Sequence, residues 1–425
     1  MRKSRPILIF CALWCALPVS VAHAWGRHDL ITRIALSSRD LSFLKTVRVT
    51  PEPIEKAAPD LLARVIPGIE QWCLSFHRQH DTRYAWAPPK PRADTNARQA
   101  LLWALEDNMR TSLEIPSQEM SGHETAADIL IRHVDEPDGL LDGELDRPPY
   151  LDRLRASMSV FLGNDVHTHA FRHYYVPSSL LPPILSPKGI APYRAALYAR
   201  LSDGAFSTGH PYWGYRFLAW SLHYVQDVTQ PWHTIFLPDF SFLSFSKAKM
   251  KKEVEALHYL TEAFSDSWML RTQFNGPDTM PSRKPALVSG AASASVPGAN
   301  DNDPWAIADL TESLARTAHS KASQLADLAR SFFQPIVDRL DNTLKPKSAF
   351  IPLGGFRLTS SVLDFSGNGA GATRFLAPIW SNGFQLTSSR DRLVAIIATQ
   401  IHAAVTGSRL VVSRVLRDTV ANPLS

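Results

Sequence analysis

Two histidine–carboxylate pairs at helical spacing are the residues of this sequence best suited to metal chemistry. His223 and Asp227 stand in the stretch SLHYVQDVTQPWHT, and His258 and Glu262 stand in LHYLTE. Residues four apart on a helix lie one turn apart on the same face, so each pair can present an imidazole and a carboxylate together. Nitrogen and oxygen ligands of this kind suit zinc, which binds them at about 2.0–2.2 Å.

A proline shortly after the first pair makes a third histidine a candidate ligand. Pro231 is expected to perturb or end the helix, and this can turn His233 towards the same pocket. An isolated His-x-x-x-Asp pair is more often an exposed ion pair or a satisfied polar contact. Apolar residues flank both pairs here, however, and a buried histidine needs a partner. The two histidine–carboxylate pairs can therefore be interpreted either as surface ion pairs or as buried metal ligands.

The amino-terminal segment has the three parts of a secretory signal peptide. Three cations at positions 2, 3 and 5 precede an apolar run from Ile7 to about Val21, and Ala22-His23-Ala24 has the small-x-small form of a cleavage site. The sequence therefore predicts a signal peptide over residues 1–24. It predicts export to the periplasm or the exterior after cleavage following Ala24.

Cleavage at this point would make Trp25 the first residue of the mature protein, with His28 three residues later. A free α-amine beside a backbone carbonyl can chelate a metal ion. The position of the cut is therefore a candidate part of the metal chemistry, and Trp25 and His28 are candidate ligands.

Charge and cysteine content narrow the class of protein. Removing residues 1–24 removes three cations and no acids, so 45 Lys+Arg and 40 Asp+Glu become 42 and 40. A nearly neutral chain argues against a broad surface for polyanions. Only Cys73 lies outside the signal segment, so the mature chain cannot form an internal disulfide. An exported protein without a disulfide suits a bacterial periplasm or exterior.

Helical periodicity dominates the chain and predicts an all-α fold. Apolar residues recur at helical spacing in HDLITRIAL, ETAADILIRHV and YRFLAWSLHYVQDV, and again in KKEVEALHYLTEAFSDSWML and beyond residue 303. Residues 276–303 are rich in Pro, Gly, Ser and Ala and predict a flexible insertion. We expect a domain over 25–345 and a less regular carboxy-terminal extension of unknown role over 346–425. The apolar stretch RLVAIIATQIHAAVTGSRLVV is interpreted as a packed helix rather than a membrane span.

The sequence around these pairs resembles the zinc-dependent phospholipase C and P1-type nuclease superfamily. The stretch His-Tyr-x-x-Asp-x-x-Gln-Pro-x-His, from His223 to His233, is similar to the central signature of that family. The later His-x-x-x-Glu, the tryptophan after the cleavage site and the segment RHYYVP, which contains His173, match it as well. The resemblance covers residues 25 to about 265, and more loosely to about 340.

The resemblance implies a compact multi-helix fold of the phospholipase C/P1 nuclease type that holds three zinc ions. It implies a first zinc on His173, His223, Asp227 and an upstream aspartate. The second zinc would bind His233, His258 and Glu262. The third would bind the Trp25 amine and carbonyl, His28 and the shared Asp227.

The upstream aspartate has three candidates, Asp135, Asp138 and Asp142. Asp138 best fits the offset from the end of the preceding helix, and Asp135 comes next. By the same resemblance, Asp138 would orient or deprotonate the water that attacks phosphorus. Asp138 is therefore our candidate catalytic residue as well as a candidate ligand.

The implied activity is zinc-dependent phosphodiester hydrolysis by activated water. We expect a phospholipase C that cuts the glycerol–phosphate bond of a phospholipid substrate, with a membrane surface as a candidate place of action. A P1-type nuclease is the first alternative, although no basic stripe interleaves with aromatic residues, so nucleic acid is the less expected partner. A non-catalytic helical protein stabilised by zinc is the second. No Gly-x-Ser-x-Gly motif of a serine hydrolase is present, and the sequence does not indicate an oligomeric state.

Overall fold

A computed structural model of the chain describes six stretches and one isolated residue. They are Trp25, 27–67, 122–137, 191–234, ten positions between 257 and 269, 306–343 and 387–421. The ten positions are 257–258, 260–262, 264–266 and 268–269, and the side chains of 334–343, 387–388 and 418–421 are excluded. Every site residue described below belongs to one compact unit, which comprises His23–Val337 and Leu386–Ser425.

The described residues are almost entirely helical, which confirms the all-α prediction. The described residues contain seven α-helices that we number in chain order. They are α1 (His28–Leu36), α2 (Ile54–Asp60), α3 (Ala126–His133), α4 (Ala191–Ser207), α5 (Pro211–Asp227), α6 (Ala306–Thr343) and α7 (Thr387–Ala421). The described positions from 257 to 269 are also helical.

Short helical turns and two short strands connect or follow several of the described α-helices. Two 3₁₀ segments and one π-helical turn occur, at Arg39–Lys45, Pro231–His233 and Leu61–Val65. The only strands in the described residues are β1 (Arg48–Val49) and β2 (Glu124–Thr125), which pair antiparallel. The sequence analysis did not predict this pairing or helix α4.

Helix α5 lies at the centre of the unit and contacts α1, α3, α4 and α7, with α4 as its most extensive partner. It is buried on all sides except at Pro211, its first residue. Proline suits this position because its fixed φ fits a helix and its missing N–H would have had no partner within the helix. Gly209, at φ 83°, makes the turn from α4 into α5, and this left-handed conformation favours glycine. The tight turn sets α4 and α5 side by side.

Helix α3 begins with a side-chain cap that fixes its start. The Asp128 amide donates to Thr125 Oγ1 at 3.1 Å, and the Thr125 amide donates to the Asp128 carboxylate at 3.3 Å. This reciprocal capping box satisfies two amides that the first turn leaves without intrahelical partners. It fixes the start of the helix whose far end leads into Asp135.

The carboxy-terminal segment is more regular than the predicted extension, because α7 is a helix of 35 residues. It packs against α1, α4 and α5. Within it, Ser389–Arg417 is the one candidate in the described residues that is long and apolar enough to cross a membrane, with a mean hydropathy of 1.3 over its best window. Half of that window is buried inside the protein, and core helices of soluble proteins satisfy the same criteria.

Candidate metal centre

Three buried side chains from two helices form the first cluster, which comprises His28, His223 and Asp227. His28 begins α1, and the other two lie one turn apart at the end of α5. Asp227 Oδ1 lies 3.2 Å from His28 Nε2, and Asp227 Oδ2 lies 3.3 Å from His223 Nε2. The three ligand atoms are within 4.8 Å of one another. One carboxylate therefore faces two imidazoles in a space that can hold a metal ion.

The second cluster comprises His233, His258 and Glu262, which are also buried. His233 ends the 3₁₀ turn that begins at Pro231, while the other two lie one turn apart on the helical segment 257–269. His258 Nε2 lies 3.2 Å from His233 Nε2 and 2.7 Å from Glu262 Oε1. The indole of Trp232 stacks on the His258 ring, with centroids 5.9 Å apart. This cluster too can hold a metal ion.

Helix α6 supports the two elements that carry the second cluster. His319 Nδ1 donates to the Thr234 carbonyl at 2.9 Å, which ties α6 to the residue after the 3₁₀ turn. Phe264, two residues after Glu262, packs edge-to-face on Phe332 and Phe333 with centroids 5.6 and 5.9 Å apart. Helix α6 thus contacts both segments that carry the candidate ligands of the second cluster.

Trp25 lies against the last turn of α5 and is almost fully buried. Its indole Nε1 donates to the Gln226 carbonyl at 2.9 Å and to Thr229 Oγ1 at 3.2 Å. Gln226 immediately precedes Asp227, so the tryptophan lies beside the first cluster. Ligation by the Trp25 α-amine stays a prediction.

Two of the predicted site residues, Asp138 and His173, lie outside the described residues, as does the alternative Asp142. The other alternative, Asp135, is described. Its Oδ1 accepts the backbone N–H of His28 at 3.1 Å. Asp135 therefore lies beside a residue of the first cluster, and the choice among the three aspartates stays open.

Asp266 is an acid beside the second cluster that the sequence analysis missed. It follows Glu262 by four residues, and that one-turn spacing after His258 and Glu262 was the available signal. Burial raises the pKa of Asp266 well above its ordinary value of 3.8, and the negative charge of Glu262 raises it further, while Arg27 opposes both. The mutual influence of Arg27 and Asp266 shows that the start of α1 lies near this helical segment.

A buried ion pair anchors the end of α3, next to Asp135. Arg216 of α5 donates to both carboxylate oxygens of Glu136, at 2.7 and 3.0 Å. Trp220 Nε1 donates to the same carboxylate at 2.7 Å, and His133 Nδ1 lies 2.8 Å from it. Bidentate pairs of this kind hold geometry as well as charge. The pair fixes where the chain leaves α3, next to Asp135.

An open cavity of about 370 Å³ between α1 and α3 reaches Asp135. Arginine and aspartate side chains dominate its wall. The lining residues are Arg27, Asp29, Arg33, Asp128, Ile131, Arg132 and Asp135. Arg33 and Arg132 have about half of their side-chain surface exposed, at 49% and 47%. Guanidinium groups are therefore accessible to solvent beside the first cluster.

The donor set of the two clusters is four imidazoles and two carboxylates. Imidazole nitrogen with carboxylate oxygen suits first-row transition metals and zinc better than Ca²⁺ or Mg²⁺, which prefer all-oxygen sites. No protein-family model, curated protein or solved structure matches the chain.

Proposed function

We propose that this protein is an exported zinc-dependent phosphodiesterase, with a phospholipase C/P1 nuclease-like fold and a phospholipid as its substrate. One observation carries the proposal. Six of the side chains that the resemblance implies as zinc ligands lie in two buried clusters, although they come from four separate segments of the chain. Convergence of distant segments on ligand-compatible geometry is not expected for unrelated surface ion pairs.

The presence of two clusters favours a catalytic centre over a structural one. Each cluster contributes three side-chain ligands from the described residues. A zinc-stabilised helical protein needs only a single closed site, whereas phosphodiester hydrolysis can use more than one metal ion to bind the attacking and the leaving oxygen.

The chain's own residues would then divide the work of hydrolysis. Zinc supplies a Lewis acid that activates water at neutral pH and offsets negative charge that develops on phosphoryl oxygens. The imidazoles and carboxylates of the two clusters would bind the zinc ions and fix their positions. Asp138, or Asp135 in its place, accepts the proton of the attacking water. Arg33 and Arg132 are placed to attract an anionic phosphodiester to the cavity beside the first cluster.

The near-neutral charge of the mature chain supports a lipid over a nucleic acid. A nuclease surface for single strands combines a basic groove with aromatic platforms. Arginines and aspartates alternate around the cavity instead, so that a long polyanion would meet carboxylates as well as guanidinium groups. A short phosphodiester headgroup presents one charge and avoids that repulsion.

The test combines metal analysis with two substrates. We expect protein that begins at Trp25, purified without chelators, to contain two to three zinc ions per chain. We also expect it to hydrolyse phosphatidylcholine or phosphatidylethanolamine faster than single-stranded DNA. Asp227→Asn should abolish turnover and lower the metal content, while Asp327→Asn at an exposed position of α6 should change neither.

Each unexpected result has a separate meaning. A metal content of one ion per chain or less overturns the zinc proposal. Turnover of DNA at least about tenfold faster than that of lipid, at matched zinc and salt, favours the nuclease. Full metal content without turnover of either substrate indicates the non-catalytic role.

A further inference from the structure

One amide side chain joins the first cluster to the carboxy-terminal helix. Gln226 is fully buried on α5, immediately before Asp227. Its Nε2 donates to Thr32 Oγ1 at 2.9 Å and to Ser408 Oγ at 3.0 Å. Its Oε1 lies 2.9 Å from His28 Nδ1. The side chain therefore bonds to α1 and α7 at the same time, and the sequence analysis did not single it out.

This amide orientation decides which nitrogen of His28 carries the hydrogen. In the orientation that the structure gives this amide, the NH₂ group donates to two hydroxyl oxygens and the carbonyl oxygen faces His28. An oxygen acceptor requires a donor, so His28 Nδ1 bears the hydrogen. In the neutral ring, Nε2 then presents its lone pair to the first cluster, where it lies 3.2 Å from Asp227 Oδ1. That is the tautomer that a metal ligand needs.

Helix α7 is held at the position of Ser408 by close packing and by an ion pair. Gly407 allows the approach, because a Cβ there would lie 2.8 Å from Leu314 Cδ1 and 3.0 Å from Val225 Cγ1. Arg409 donates to both carboxylate oxygens of Asp40 at 3.1 and 3.2 Å, which fixes α7 against the segment after α1. The Ser408 hydroxyl is fully buried between these two restraints.

We propose that Gln226 is a positioning residue that fixes the tautomer and orientation of His28 for metal binding, and that Ser408 holds Gln226 in place. The proposal rests on the proposed function in one respect, namely that the first cluster binds a metal ion. It makes α7 part of the metal centre, although this helix lies outside the region that carries the family resemblance. Groups that hydrogen-bond the second nitrogen of a ligand histidine tune both its orientation and its affinity.

Two substitutions at position 226 separate the acceptor from the packing. Gln226→Leu keeps the approximate volume but removes the acceptor for His28 Nδ1–H. Gln226→Glu keeps an acceptor there and cannot present a donor to His28, while the hydroxyls of Thr32 and Ser408 can turn to donate to the new carboxylate. Gln226→Glu should therefore preserve the position and tautomer of His28, whereas Gln226→Leu should lose both.

The first measurement is zinc affinity of the full mature chain, by competition with a chelator of known affinity. We expect Gln226→Leu to weaken the site that includes His28 by about 10- to 100-fold, as is typical of groups that orient ligand histidines. Ser408→Ala should weaken it less, because Thr32 still holds the amide. Gln226→Glu should stay within about threefold of the wild type. Thr399→Ala is the matched control, since that exposed hydroxyl of α7 bonds only to the Ala395 carbonyl of its own helix at 2.8 Å.

The second measurement is the tautomer of His28, by ¹⁵N NMR of histidine-labelled protein with the signal assigned by His28→Gln. We expect hydrogen on Nδ1 in the wild type and in Gln226→Glu, and a larger share of the Nε2–H form in Gln226→Leu. Circular dichroism confirms that each variant folds. This measurement does not need the metal, so it also decides the positioning role in a protein that fails to bind zinc.

The outcomes separate the two proposals. Wild-type protein without zinc overturns the proposed function, while the tautomer result still supports or overturns the positioning of His28. If the wild type binds zinc and Gln226→Leu binds it with the same affinity, the positioning role alone is overturned. Hydrogen on Nε2 of His28 in the wild type overturns it as well.

Discussion

The Nε2 atoms of His233 and His258 face each other at 3.2 Å. His258 Nε2 also lies 2.7 Å from Glu262 Oε1. A single hydrogen on His258 Nε2 cannot point fully at both neighbours, whereas one cation between the three atoms is attracted to all of them. The geometry of the second cluster is thus compatible with a shared metal ion.

Replacing Glu262 by Gln should remove the metal of the second cluster and leave the first cluster loaded. The amide oxygen is a weaker ligand than the carboxylate, and the substitution removes the negative charge that offsets the cation. Elemental analysis should show a loss of about one ion per chain. Glu55→Gln, at an exposed position of α2, is the control. An unchanged metal content in the Glu262 variant would show that this carboxylate is no ligand.

One extra residue before Trp25 should lower the bound zinc by about one ion and reduce phosphodiesterase activity. The terminal amine would become an amide, whose nitrogen lone pair is delocalised into the carbonyl and binds metals poorly. The indole bonds to Gln226 and Thr229 do not involve the α-amine, so the helical content should survive. The comparison is between protein cleaved after Ala24 and the extended form. Equal zinc content and equal turnover would leave Trp25 with a packing role only.

Breaking the buried ion pair at the end of α3 should destabilise the fold strongly. Arg216→Met would leave the largely buried Glu136 carboxylate without its guanidinium partner, and such losses cost up to about 3–5 kcal/mol. Urea denaturation followed by circular dichroism measures the change in the free energy of unfolding. Arg390→Met removes an arginine whose ion-pair partner, Asp391, is exposed, and it should cost less than about 1 kcal/mol. Similar losses in the two variants would contradict the structural role of the pair.

The same ion pair predicts a pH dependence of stability. Burial raises the pKa of Glu136, but the charges of Arg216 and His133 and their hydrogen bonds outweigh it, so the net pKa is below the ordinary value of 4.5. A lowered pKa in the folded state stabilises the fold above about pH 4.5, and this contribution is lost as the pH falls through the folded-state pKa. Between those two pKa values, the free energy of unfolding of Glu136→Gln should fall less steeply on acidification than that of the wild type. Parallel pH profiles for the two proteins would refute the assignment.

Substituting Gly407 by Ala should destabilise the protein and weaken the first cluster. Alanine favours a helix by about 1 kcal/mol over glycine, but the added Cβ meets Leu314 and Val225 at 3.0 Å or less. Overpacking of this kind costs about 1–3 kcal/mol. We therefore expect a net loss in thermal denaturation and a lower zinc affinity as Ser408 is displaced. Gly122→Ala is the control, since nothing lies within 4 Å of its Cβ. A stabilised Gly407→Ala protein would show that α7 can move without cost.

Local patterns in the sequence predicted the helices that carry the ligands. The spacing of His223 and Asp227 and that of His258 and Glu262 each fits one helical turn, and the structure has both pairs on helices. Pro231 was expected to disturb the first helix, which indeed ends at Asp227 before a 3₁₀ turn that carries His233. These features depend on neighbours within about ten residues, which a periodicity argument can reach.

The features that the sequence did not reveal depend on distant contacts. Gln226 has a role only because Thr32, His28 and Ser408 converge on it from two other helices. Helix α4 escaped notice because it is buried on almost all sides and has no clear polar face, and amphipathic periodicity is the signal that the sequence analysis used. The resemblance assigned His28 and His223 to different zinc ions that share Asp227, whereas the structure has both imidazoles beside that carboxylate in one cluster.

The hydrogen bond between Gln226 and Ser408 has a consequence for the order of folding. It joins residues 182 positions apart, and the ion pair between Arg409 and Asp40 spans 369. A growing chain that stops short of α7 already contains every residue of both clusters but lacks the hydroxyl that holds the Gln226 amide. Contacts between such distant segments form late, because closing the long loop between them costs conformational entropy before any contact can offset that cost. Under the proposed role of Gln226, the first cluster therefore reaches its final geometry only after α7 has packed against α1 and α5.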